Sequence, residues 1–111
     1  MNHIKVRNTK ERGVFEFIVY PQGKRFIGVC LTLNIIEEGK DPQELLKSLE
    51  EAAFGHLEVV RKENLSDKLL NRPAPKKYWD KYFTARLLTE VRKILQKPRI
   101  SFPIKQELVY A

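Results

Sequence analysis

The chain has 111 residues, a hydrophobic fraction of 42%, a formal net charge of +7 and a single cysteine, Cys30. That length holds one domain, or a small domain with an appendage, and leaves much surface for a partner to cover. One cysteine excludes an internal disulfide, and no run approaches the ~20 apolar residues of a membrane span, so a cytoplasmic protein without membrane contact is expected.

Taken in order, "HIKVRN" (His3 to Asn8) alternates at Ile4 and Val6 and reads as an edge strand or a frayed arm. "VFEFIVY" (Val14 to Tyr20) is aromatic and β-branched, which suits a pleated surface. Its alternation puts Phe15, Phe17 and Val19 on one face and Val14, Glu16, Ile18 and Tyr20 on the other. The turn residues of "PQGK" then lead to a second strand, Arg25 to Leu33, so the pair reads as an antiparallel hairpin. "NIIEEG" is a short third strand ending at Gly39.

"KDPQELL" carries a helix start: Asp41 as N-cap, Pro42 at the first position and Glu44 at the third. The helix is expected from Pro42 to Arg61, with Leu45, Leu49, Ala52, Ala53, Leu57 and Val60 forming its packing stripe. A connector follows, with one helical turn at Ser66 to Leu70, and Pro73 and Pro75 stop it. A second helix is expected from Pro75 to Gln96, its stripe stepping in fours through Trp79, Phe83, Leu87, Val91 and Leu95, widened by Tyr82, Leu88 and Ile94. Pro98 ends it, and "RISFPIKQELVYA" alternates at Ile100, Phe102 and Ile104 as an edge strand interrupted by Pro103.

The charge is uneven along this layout. Residues 1–60 hold 8 Lys+Arg against 9 Asp+Glu, or −1, and residues 61–111 hold 13 against 5, or +8. The basic excess falls on the second helix, whose "KKYWDKYF" interleaves lysines with aromatics. Trp79 and Phe83 are read as core, while Lys76, Lys77, Lys81, Arg86, Arg92 and Lys93 are the candidate contacts for nucleic acid or an acidic partner. The alternative is a well-solvated helix.

Catalytic groups do not gather in the sequence. His3 and His56 lie in different elements, and His56 reads as a structural histidine beside the packing face. Cys30 sits inside an apolar strand and reads as a small buried hydrophobe. Glu37, Glu38 and Asp41 read as a solvated turn rather than a metal cage, since adjacent strand residues point apart. Glu16 is left with one carboxylate partner at best, from the third strand. No cofactor, metal site or enzymatic activity is expected.

The hairpin, "FIGVCLTLNIIEEGKDPQELLKSLEEA" and the amphipathic helix together resemble the HicB-like antitoxin family over about residues 13–60. The resemblance rests on the aromatic first strand, the run Ile27 to Cys30, Gly39 closing the third strand, and Glu50, Glu51 and Ala52 in the helix. It implies a partial ribonuclease-H-like α+β fold: a small antiparallel sheet in the order β-β-β-α, then α-β, with two long helices and no nuclease activity. Residues 1–61 would form the HicB-like core, and 62–111 a connector, basic helix and strand-like tail packed on the same domain. Leu31 stands where the family commonly has proline, and no C-terminal DNA-binding module is recognisable.

By that resemblance the chain is a non-catalytic protein-binding module that neutralises a small RNA-cleaving toxin of the HicA type. The second reading is a nucleic-acid-binding protein that uses the basic helix 76–97. Self-association as a dimer is expected in either case, through "HIKVR" or "ISFPI" as a sheet edge.

Overall fold

Alternation in the first aromatic run decides the architecture, because both of its faces are apolar enough to need cover. A computed structural model describes residues 8–94 and 104–110 of the chain. The fold is α+β, with strands β1 (Gly13–Gln22), β2 (Arg25–Cys30), β3 (Ile35–Gly39) and β4 (Ile104–Tyr110) in one antiparallel sheet of order β3-β2-β1-β4. Helix α1 (Pro42–Lys62) covers one face and helix α2 (Lys76–Ile94) the other. A short 3-10 helix, Asp67–Leu70, lies between them.

The two expected faces of β1 sort into two cores. Phe15, Phe17 and Val19 meet Leu45, Leu49, Ala53, Leu57 and Val60 of α1, all buried. Ile18 and Tyr20 join Val29 and Leu31 against Trp79, Tyr82 and Ala85 of α2. Each fully buried side chain of this size contributes about 1.5–3 kcal/mol of transfer free energy, so both helices are held by the sheet rather than by their own propensity.

Two glycines are demanded by geometry. Gly23 has φ +64°, as the first position of a two-residue type II′ hairpin loop requires, and Gln22 pairs with Arg25 across it. At Gly28 a Cβ would lie 2.6 Å from Leu49 Cδ1 and 2.9 Å from Leu45 Cγ, so α1 approaches β2 closely only because no side chain stands there. The α1 cap is the expected one: the Asp41 carboxylate accepts from Gln43 N at 2.9 Å and Glu44 N at 3.1 Å, with Pro42 at the start.

Two boundaries and one stripe differ from the sequence reading. β2 ends at Cys30 rather than Leu33, and Leu31–Asn34 form a turn in which Asn34 takes φ 55°. The apolar residues continue there because the turn is buried under the connector: Arg72 N donates to Thr32 O at 2.9 Å and Ala74 N to Leu31 O at 2.8 Å. By this route the chain passes from the α1 face to the α2 face. β4 begins at Ile104, after Pro103, and pairs with β1 of its own chain from Val19↔Ile104 to Gly13↔Tyr110.

The buried line of α2 steps in threes, through Trp79, Tyr82 and Ala85, while Leu87 and Leu88 are 64% and 44% exposed. Ala85 lets the helix lie close to the sheet, and the line of fours turns Leu87 outward. Phe83 stays half-buried, stacked on Trp79 with ring centroids 5.9 Å apart. The arm at Ile4 and Val6, His3, the tail positions Ile100 and Phe102, and the helix end at Leu95 to Pro98 lie outside the described residues. No helix among the described residues is long and apolar enough to cross a membrane.

Candidate functional site

The first half of α2 runs beside the end of β1, and the two elements leave a groove of about 580 Å³ lined by Tyr20, Pro21, Lys77, Asp80, Lys81 and Thr84. Tyr20 is the last apolar residue of β1 on this face and is held in the core, so its ring forms a fixed wall. Lys81 Nζ lies 4.6 Å from the centroid of that ring, and Lys77 Nζ lies 5.0 Å from the Tyr78 ring. The two ammonium groups thus lie over aromatic faces, in cation–π contact. Burial, and then the neighbouring Tyr78, raise the Tyr20 phenol above its ordinary range, so this wall is uncharged.

The predicted contact residues divide three ways. Lys77 and Lys81 come together in the groove, one helical turn apart. Lys76 is exposed and pairs with Asp80 at 3.0 Å across that turn, and Arg86 lies farther along, its Nη1 3.9 Å from Glu107 Oε1. Arg92 and Lys93 belong to α2, but their side chains lie outside the described residues. Sequence reasoning did not place Tyr20, Pro21 and Thr84 at the site. Tyr20 is the one polar-tipped aromatic in β1, followed at once by a proline, and that is the signal that could have marked a strand end open to a ligand.

A second polar constellation lies under α2. Glu16 of β1 and Glu107 of β4 are direct cross-strand partners. The Tyr82 hydroxyl donates to Glu107 Oε1 at 2.9 Å. Burial, and then the Glu107 charge, push the Glu16 carboxyl up to about 7, with Arg86 acting in the opposite direction. Burial and its hydrogen bond to Glu107 hold the Tyr82 phenol above its ordinary range. The sequence reading sought a partner for Glu16 on the third strand. Instead Glu37 accepts from Ser48 Oγ at 2.7 Å and Glu38 pairs with Arg25 at 3.1 Å, and the partner comes from β4.

His56 is structural. Its Nε2 lies 2.6 Å from Leu69 O, and since a carbonyl only accepts, that nitrogen carries the hydrogen and pins the 3-10 helix to α1. Cys30 is wholly buried, and burial pushes its thiol up to about 11, so it packs as a hydrophobe and is not a nucleophile at neutral pH. Among the described residues no three His, Cys, Asp or Glu side chains gather as a metal site would need. Comparison with known protein families, with curated proteins and with solved structures finds no match to this chain.

Proposed function

We propose that this chain is a non-catalytic, HicB-like binding module whose sheet and helices present a surface to another protein, a small RNA-cleaving toxin of the HicA type. The observation that supports the reading is the plan of the sheet. Three consecutive antiparallel strands lead into a helix capped by Asp41 and seated on Gly28, and a further strand joins the free side of β1. That is the plan the resemblance implies. Self-association belongs to the same proposal, with the outer sides of β3 and β4 as the available edges, and sedimentation at micromolar concentration tests it. The partner is tested by co-purification of the tagged chain from its source cell, followed by an RNA-cleavage assay. A short basic protein that is captured and silenced by the chain supports the reading. A captured protein that cleaves RNA equally well with and without the chain overturns it.

A second reading rests on the groove. Lys77 and Lys81, presented beside Tyr20, Pro21 and Thr84, suit the phosphates and bases of a single strand, because cations hold the backbone while aromatic and prolyl surfaces meet the bases. Fluorescence anisotropy with single-stranded RNA and DNA decides it. Binding that falls steeply with salt and is lost in Lys77→Glu/Lys81→Glu favours this reading, and retained binding in that double variant removes it.

A further inference from the structure

Within Val14 to Tyr20, Glu16 is the only charged residue, and the antiparallel register sets it directly opposite Glu107 on the face that α2 covers. Directly opposed residues of such a pair bring their Cβ atoms to about 4.5–5.5 Å, where two like charges destabilise the pairing. The main chain of Glu16 is held to the turn after β2: its N–H donates to Thr32 Oγ1 at 3.3 Å and its carbonyl accepts from Leu31 N at 2.7 Å.

Among the described residues the groups around the pair are few. α2 supplies the Tyr82 hydroxyl at 2.9 Å from Glu107 Oε1 and the Arg86 guanidinium at 3.9 Å from the same oxygen. The turn after β2 supplies the Thr32 hydroxyl, which lies 3.7 Å from the uncharged Cys30 thiol two residues earlier, itself in the α1-side core. β4 carries Lys105 two residues before Glu107, at the register position of Ile18, its side chain outside the described residues. α1 lies on the opposite face. Among the described residues, the two groups of α2 that reach the pair bond or pair with Glu107, so a half-buried Glu16 carboxylate stands opposite a second carboxylate. A proton on Glu16 resolves the conflict.

We propose that Glu16 and Glu107 form a proton-operated latch on β4: one proton on the pair holds Glu107 against β1 and under Tyr82, and its loss sets two like charges face to face and loosens β4 and α2 together. The Glu16 carboxyl, pushed up to about 7 by burial and by Glu107, places the release near neutrality. The sign follows from proton counting. A carboxyl raised in the folded state binds more protons there than in the unfolded chain, so stability is greatest below the unfolded value and falls as pH rises towards the folded one.

Three measurements test the latch. Carbon-13 NMR of the side-chain carboxyls follows Glu16 and Glu107 in the wild-type protein, and needs no variant to fold. Denaturant midpoints and amide exchange of β4, corrected for intrinsic rate, are compared between about pH 6 and about pH 8 in the wild type and in Glu16→Gln. The latch requires a carboxyl of this pair to titrate near neutrality, wild-type β4 protection to drop by about tenfold or more over that window, and E16Q to lose most of that drop. Both carboxyls titrating in the ordinary range, or E16Q tracking the wild type at every pH, overturns it.

Discussion

Asn8 carries more of the fold than its place suggests. It is 1% exposed, and its amide accepts from Val14 N at 2.9 Å and donates to Val14 O at 3.1 Å and Leu70 O at 2.9 Å. Asn71 closes the arrangement, its side chain accepting from Asn8 N and donating to Asn8 O, each at 2.8 Å. Two asparagines thereby pair the segment before β1 with the connector after the 3-10 helix, in the manner of two short strands. Nothing in the sequence marked Asn8 for this, since its partners lie 62 and 63 residues away. Asp41 is the opposite case, because its bonds reach only two and three residues ahead and were legible in "DPQE". Asp41→Ala is expected to cost about 1 kcal/mol, read as a lowered denaturant midpoint with an unchanged slope. Asp41→Asn, which keeps an accepting oxygen, should recover most of that loss.

At the scale of elements, what the sequence made readable was set by local physics. The alternation of β1, the Gly23 turn and the α1 stripe were legible because period, turn chemistry and capping agree within a few residues. The exceptions arise where a distant segment decides. β2 stops at Cys30 because the connector claims the carbonyls of Leu31 and Thr32. α2 turns its Trp79–Tyr82–Ala85 line inward because Tyr82 meets Glu107, a residue of β4. The basic groove was legible in its lysines and not in its walls, since Tyr20 and Pro21 come to Lys77 and Lys81 through tertiary packing. A pair of substitutions separates the two α2 stripes. Leu87→Gln is expected to change stability by no more than about 0.5 kcal/mol, and Trp79→Ala to cost about 3–5 kcal/mol. A large loss for L87Q in urea unfolding would restore the line of fours.

For the whole molecule, the uneven charge has a spatial meaning. Helix α2 holds six Lys and Arg against Asp80 and Glu90, whereas β4 balances Lys105 with Glu107, so among the described elements the excess of cations is centred on α2, on one face of the sheet. The pairing of β4 with β1 also governs the order in which the fold can be completed. Tyr110 donates its hydroxyl to Thr9 O at 3.0 Å across 101 residues of chain. The β1–β2 hairpin, β3 and α1 close over short separations, whereas β4 pairs with β1 only across the whole stretch between them and, on the ribosome, emerges after all of these. Closing that stretch is paid for in chain entropy before β4 gains any contact. Until then β1 presents an open edge and Ile18 lacks its α2 cover, which makes the nascent chain a substrate for pairing with other strands. In stopped-flow refolding, Val29→Ala is expected to slow folding, while Tyr110→Leu mainly accelerates unfolding, with a φ-value near zero. A φ-value near one for Tyr110→Leu would mean that the two ends of the chain find each other first.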